Sequence, residues 1–292
     1  MRSGFIGVIG KANAGKSTLI NVLVGEKVAI VSPKPQTTRD AIMGILTKEE
    51  YQLVFVDTPG IYKAKNRLSD KMMKTTEQTS KDVDFILFVH DGHAGIKDDD
   101  IALIKHYHGG NIPMAIAYTK IDIMPKERIA EDVKRMYDGG IRCDIFPVSA
   151  RRGTNMKKLE EFLAESMPEG DKVVSDDIVS DRSEKFMIAE IMREKILLKF
   201  DDEVPHGIAI VVNKFERGEN GVFDINLDIV CEKPNHKAIL IGKGGRAIKE
   251  VNSFAREGME KFLGAKVFLT TFVRVEEDWR NKMHLIKDLV II

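Results

Sequence analysis

Residues 10–17 read Gly-Lys-Ala-Asn-Ala-Gly-Lys-Ser, a complete G-x-x-x-x-G-K-[ST] phosphate-binding loop. Its surroundings are those such a loop needs. Phe5-Ile6-Gly7-Val8-Ile9 precedes it as a short apolar run suited to a buried parallel strand. Thr18-Leu19-Ile20-Asn21-Val22-Leu23-Val24 follows with helical spacing and is closed by Gly25, a C′ residue. Gly10, Lys11, Ala12, Asn13, Ala14 and Gly15 would wrap the phosphates with backbone N–H groups at a helix N-terminus. Lys16 would meet the β- and γ-phosphates, Ser17 would ligate Mg²⁺, and Thr18 completes the first turn. A nucleoside triphosphate is the expected ligand.

Later stretches choose the base. Leu53-Val54-Phe55-Val56 is a strand-like run that delivers Asp57-Thr58-Pro59-Gly60, followed by Ile61. Asp57 can hold Mg²⁺ through water, and the Gly60 N–H can sense the γ-phosphate. Pro113 to Tyr118 leads into Thr119-Lys120-Ile121-Asp122. Guanine carries an N1–H and an exocyclic amine, and one carboxylate, Asp122, can accept from both while the Lys120 stem packs over the ring. Phe146-Pro147-Val148 then presents Ser149-Ala150, where a backbone N–H can reach guanine O6. Each motif is short; their order, each behind a strand, points to guanine.

These motifs resemble those of the Era family of bacterial GTPases, and the resemblance runs nearly the whole length. Ser32-Pro33-Lys34-Pro35-Gln36-Thr37-Thr38-Arg39-Asp40 is similar to that family's first switch. The resemblance makes Thr38 the γ-phosphate and Mg²⁺ contact, with Thr37 the alternative. Two departures stand out. Ala12 replaces the proline usual in the phosphate loop, and Thr119 stands where the guanine motif has asparagine. That asparagine ties the base loop to the phosphate loop; threonine is shorter, so weaker affinity is expected with specificity kept by Asp122. Ile61 occupies the place where Ras-type proteins carry a water-orienting glutamine, so slow intrinsic turnover is expected. Related GTPases use the loop asparagine to ligate K⁺ in place of an arginine finger. Asn13 matches that residue, and capping of the loop's own backbone is an equal alternative. Lys16, Thr38, Gly60 and Asn13 are thus the expected hydrolytic group, and Tyr62-Lys63-Ala64-Lys65-Asn66 is expected to belong to a mobile second switch.

The chain has 292 residues, which favours two domains. No stretch approaches the 18 apolar residues of a membrane span, and the N-terminus runs straight into a core strand, so neither secretion nor spanning is expected. Cys143 and Cys231 fall in different halves and read as buried free thiols of a cytosolic protein. The formal net charge is zero, so a nucleic-acid partner has to be argued locally. Up to about residue 170 strands alternate with helices (67–81, 98–108 and 126–138 among them), which predicts an α/β, doubly wound, mostly parallel sheet. A polar, aspartate-rich stretch over 171–182 reads as a linker.

From 183 onward the pattern changes. Ser183 to Lys199 is helical. Ile208–Phe215 and Val222–Val230 are strand-like and joined by Gly218-Glu219-Asn220-Gly221. Lys237 to Ile241, then Gly242-Lys243-Gly244-Gly245, then a helix over Arg246–Leu263 and a strand over Lys266–Val275 complete the order. This α-β-β-α-[Gly-x-x-Gly]-α-β sequence resembles the α+β type II K-homology (KH) domain that Era proteins carry, over 183–292 with its core at about 200–276. In such a domain the glycine loop clamps single-stranded RNA backbone. Ile239, Leu240 and Ile241 would wall the groove, and Lys233, Lys237, Lys243, Arg246 and Lys249 cluster near it. An ordinary helix–helix turn is the competing reading of the four residues. Trp279 reads as a packing anchor and His236 as a core or solvated histidine.

The resemblance implies a GTP-hydrolysing switch that needs Mg²⁺, binds the single-stranded 3′ region of 16S ribosomal RNA and assists 30S subunit maturation. It implies a cytoplasmic monomer that can sit peripherally on the inner face of the membrane. Two other classes compete: a membrane-surface signalling GTPase whose second domain binds protein, and a nucleotide-binding subunit that does not turn over.

Overall fold

In a computed structural model the structure describes residues 1–62 and 66–290. The chain forms two compact units, one of Met1–Ala29, Ala41–Lys63 and Met72–Asp181, the other of Ile30–Asp40, Ala64–Lys71 and Arg182–Ile292.

The first unit contains β1 (Arg2–Ile9), α1 (Lys16–Val24), β2 (Ile42–Thr47), β3 (Tyr51–Asp57), α2 (Arg67–Thr79, whose first turn groups with the second unit) and β4 (Phe85–Asp91). After these come α3 (Asp98–His108), β5 (Met114–Thr119), α4 (Lys126–Asp138), β6 (Ile145–Pro147) and α5 (Met156–Ser166). The six strands form one sheet in the order β2-β3-β1-β4-β5-β6. Only β2 runs antiparallel to its neighbour; every other pairing is parallel. Strand alternation explains the two cores. Phe85, Leu87 and Val89 of β4 face one side, with Leu19, Ile20 and Leu23 of α1 and Leu159 and Leu163 of α5. Ile86 and Phe88 face the other, with Ile104 and Tyr107 of α3 and Met136 of α4. Burial on both faces is why these strands read as unbroken apolar runs. Each such side chain stabilises by about 1.5–3 kcal/mol. The strand Phe85–Val89 is therefore core, as expected.

The stretch read as a linker is more ordered than its composition suggests. Buried Gln52 on β3 accepts from the N–H groups of Val173 and Val174 (2.8 and 3.0 Å) and donates to Val174 O (2.9 Å). The Ile45 N–H donates to Val179 O at 2.9 Å. The Gln52 side chain and the edge strand β2 hold it by hydrogen bonds, with Val179 alone of its described residues packed against the core, so hydrophobic pattern could not reveal it.

The second unit contains α6 (Glu184–Lys199), β7 (Ile208–Arg217), β8 (Phe223–Cys231), α7 (Pro234–Ile241), α8 (Arg246–Leu263), β9 (Val267–Val275) and α9 (Met283–Val290). β8 is central, antiparallel to β7 and parallel to β9. Every second residue of β8 from Phe223 to Cys231 enters a core shared with Ile188, Ile191 and Met192 of α6 and Val251, Ala255 and Met259 of α8. The Asn220-Gly221 pair lies within a wider connection, 218–222, closed by the Gly218 N–H donating to Val222 O at 2.9 Å. Trp279 is fully buried, and its Nε1–H donates to Gly207 O at 3.0 Å, an anchor as expected. His236 is buried, Cys231 is buried and Cys143 partly so, both thiols free. Among the described residues no helix is long and apolar enough to cross a membrane.

Candidate functional site

The phosphate loop spans the C-terminal end of β1 and the start of α1, at the end of the sheet where parallel strands deliver their loops. Lys16 is 6% exposed, and its Nζ donates to Gly10 O (3.0 Å) and Lys11 O (3.2 Å), closing the loop on itself. Burial pushes its pKa down to about 8, with the Asp57 charge pulling the other way. An ammonium held so far out of water is poised for an anion. Lys11 turns aside to pair with Asp100 at 2.5 Å, leaving only its backbone for phosphate.

The Ser17 hydroxyl donates to Asp57 Oδ2 at 2.6 Å, and Asp57 is 1% exposed. Two hard oxygen donors facing each other beside the loop fit Mg²⁺. The chain after Asp57 runs along the phosphate loop. The Ile61 N–H donates to Gly10 O (3.0 Å) and the Ala12 N–H to Ile61 O (3.4 Å). Gly60 is required there: a Cβ would lie 2.6 Å from Ala12 Cα. The Thr58 hydroxyl is taken by Val8 O at 2.8 Å, so Thr58 can offer a nucleotide only its backbone. Of the second-switch stretch 62–66, residues 63–65 lie outside the described residues.

The base loops close the other side. The Thr119 hydroxyl donates to Ala14 O (2.7 Å) and lies 3.0 Å from His90 O. Threonine thus ties the base loop to the phosphate loop in the place where the family has asparagine. Lys120, with φ of 60°, sends Nζ to Asn13 O (2.8 Å) and Asp91 Oδ2 (2.6 Å). Asp91 was not anticipated, although its position at the end of β4 is the signal that finds strand-end residues. The Ser149 hydroxyl donates to Asp122 Oδ1 at 2.7 Å. That bond, ahead of all other influences, holds the Asp122 carboxyl below the usual carboxylate range and so ionised for the guanine edge. The Ser149 N–H is committed to Thr154 O (3.1 Å), so of the pair only the Ala150 N–H could serve a base. Ile121 sits in the short turn after Lys120, and Thr18 is in the first turn of α1.

In the second unit α7 ends at Ile241, and Gly242, Gly244 and Gly245 all take positive φ (70°, 62° and 75°) before α8 starts at Arg246. A Cβ on Gly242 would sit 2.7 Å from Ala247 Cβ, whereas a Cβ on Gly244 or Gly245 would meet nothing within 4 Å. Gly242 serves the turn, its carbonyl accepting from the Gly245 N–H at 3.1 Å; Gly244 is exposed and Gly245 half-buried. Lys233, Lys243, Arg246 and Lys249 are exposed and Lys237 half-buried, and none of the five is in an ion pair among the described residues. The groove-wall expectation needs correction at Leu240, which is fully buried in the core, because one helical step of about 100° turns it away from the exposed side that Ile239 occupies at 48% exposed.

Comparisons with known proteins identify the relatives of both parts of the chain. Residues 5–120 match the family described as 50S ribosome-binding GTPase, and residues 203–280 match the KH domain. The GTPase Era of Clostridium kluyveri is 43% identical over 289 residues, covering 99% of both chains. That of Clostridium botulinum is 41% identical over 288 residues, covering 99% of this chain and 97% of its own. Two solved structures superpose with TM-scores of 0.94 at 32% identity, covering 99% of each chain: an Aquifex aeolicus Era variant bound to GDP and AlF4⁻, and Era in complex with MgGDPNP and nucleotides 1506–1542 of 16S ribosomal RNA. A phosphate loop with its guanine loops, followed by a KH fold and matched end to end by these relatives, leaves one conclusion: the chain belongs to the Era family of GTPases.

Proposed function

We propose that this GTPase binds the single-stranded 3′ region of 16S ribosomal RNA through its KH fold and uses GTP hydrolysis to time a step of small-subunit maturation. The observation that carries the reading is the exposed, positive-φ backbone of Gly244, with open space beside it and beside Gly245, set among exposed Lys243, Arg246 and Lys249. Ile241 would border the clamped strand. The Era relative solved with 16S nucleotides and MgGDPNP supports the RNA's identity.

In the nucleotide unit, Gly10 to Thr18 would wrap the phosphates, with Lys16 placing its charge on the β- and γ-groups. Ser17, Asp57 and Thr38 would hold Mg²⁺, which supplies charge neutralisation when bound. The Gly60 N–H would meet the γ-phosphate, with Thr58, Pro59 and Ile61 aligned behind it. Thr119, Lys120, Ile121, Asp122, Ser149 and Ala150 would enclose guanine. Ile61 offers no polar group to orient water, so K⁺ held by Asn13 would supply the missing charge. The functional division we propose is 1–170 for nucleotide, 171–182 connecting, and 183–292 for RNA. The protein would act as a cytoplasmic monomer with access to the inner membrane surface. Gel shifts with a 16S 3′ fragment and GTP turnover in K⁺ against Na⁺ test the reading. RNA binding with K⁺-stimulated turnover supports it. Absence of RNA binding would favour a protein-interaction role for the second domain, and equal rates in the two salts would return Asn13 to a loop-capping role.

A further inference from the structure

The segment Ile30–Asp40, which carries Thr38, packs as part of the second unit. Its anchors are specific. Arg193 on α6 is 2% exposed and donates from Nη1 to Gln36 O (3.2 Å) and from Nη2 to Thr37 O. The same guanidinium is held by Glu190, through Nε to Oε1 at 2.6 Å and through Nη2 to Oε2. Glu194, the next residue on the helix, accepts from the Val31 N–H at 3.1 Å. On the far side of Thr38, Arg39 donates to Ile208 O (2.5 Å) and His206 O (3.0 Å). Gln36 has a φ of 64°, a left-handed conformation that costs a non-glycine residue about 1 kcal/mol or more and persists only where surroundings fix it.

We propose that Arg193 is a positioning residue for GTP hydrolysis. A planar fork braced by Glu190 grips the two carbonyls just before Thr38, so the peptide leading into that residue has one orientation. The proposal rests on Thr38 being the γ-phosphate and Mg²⁺ contact. It places control of that contact on α6, the first helix of the fold that would hold RNA. A side chain that sets geometry without touching substrate can still govern rate, since displacements near 1 Å at a reacting centre cost up to about a hundredfold. Lysine cannot replace the fork, because a point charge cannot hold two carbonyls and a carboxylate in one plane.

The test uses the full chain with Arg193→Gln, Arg193→Lys, Glu190→Gln and Thr38→Ala. Expected for Arg193→Gln is a single-turnover GTP hydrolysis rate lower by about tenfold, with the Mg²⁺ concentration for half-maximal rate raised. GDP affinity should stay within about twofold, because GDP has no γ-phosphate for Thr38 to meet. Arg193→Lys should recover part of the loss and Glu190→Gln, which keeps shape, should lose less. Amide hydrogen exchange over 31–40 should speed up in step with the rate loss. If exchange rises while turnover and Mg²⁺ dependence stay unchanged and Thr38→Ala is inactive, the positioning role is overturned and Arg193 is only packing. If Thr38→Ala is itself silent, the assignment of Thr38 has failed and the proposal falls with it. Should Arg193→Gln fail to fold, Glu190→Gln alone decides between these outcomes.

Discussion

At the scale of single residues, Lys16 shows function held at the expense of stability. Its folded pKa of about 8 lies below its ordinary 10.5 because burial disfavours the charged form. Below pH 8 both folded and unfolded states carry the proton, and the nucleotide-free protein bears the full penalty. Between about pH 8 and 10.5 the unfolded state binds more protons, so stability rises with pH. Lys16→Met should therefore abolish GTP binding yet stabilise the nucleotide-free protein by about 2 kcal/mol at pH 7, and should flatten that rise. Calorimetric binding and denaturant titrations at pH 7 and 10 check both parts; a destabilised Lys16→Met protein would contradict the assignment. Thr119 makes the opposite point. Its hydroxyl bridges to Ala14 O, so Thr119→Val, equal in shape, should weaken GDP binding by about 1 kcal/mol, whereas Thr119→Ser should hold it near the original value. Equal GDP affinity for the valine variant, by calorimetry, would mean the bridge does not act on the nucleotide.

Among elements, what the sequence made legible was whatever rests on periodicity or on a motif bound to a strand end. The unbroken run Phe85–Val89 announces a strand covered on both faces, and Gly10 to Ser17 fixes a turn that only one strand–helix pair can frame. What stayed hidden rests on long-range polar contacts. Gln52 pinning Val173 and Val174, Asp91 holding Lys120 and Arg193 gripping Gln36 and Thr37 each join residues far apart in the chain, with no pattern linking them. The glycine loop lies between these cases, since the motif is plain but its purpose is not. Its members separate the two readings. Gly242→Ala should destabilise the fold through the clash with Ala247, whatever the loop binds. Joint Lys243→Asp and Gly244→Asp changes meet open space, and aspartate tolerates left-handed φ, so the fold should survive. RNA affinity should then drop by about tenfold or more at fixed salt, while GTP affinity holds. Gel shifts with a circular-dichroism control measure this; unchanged RNA affinity would make the loop a simple turn.

For the molecule as a whole, the boundary drawn by sequence order differs from the boundary drawn by packing. The second unit takes Ile30–Asp40 from inside the nucleotide-binding sequence, so cutting the chain near 181 removes part of its own structure. An excised 182–292 segment keeps the core of α6, β8 and α8 and should fold and bind RNA with the affinity of the full chain, falling as salt rises. It loses the carbonyls of Gln36 and Thr37 that Arg193 holds, and Arg39, whose guanidinium lies 5.6 Å from the Trp279 ring centroid. Hydrogen bonds from a charged group contribute about 1.5–3 kcal/mol each, and water recovers part of that when the partner is gone. The excised segment should therefore be less stable than the same fold in the intact chain by about 2 kcal/mol. Trp279 is the chain's single tryptophan and lies in this unit, so its fluorescence follows this unit's unfolding directly in both proteins. A lower denaturant midpoint for the segment, with RNA affinity retained, is the expected result. Coincident midpoints would mean that Ile30–Asp40 adds nothing to the second unit's stability, and that its anchors on α6 serve the placement of Thr38 alone.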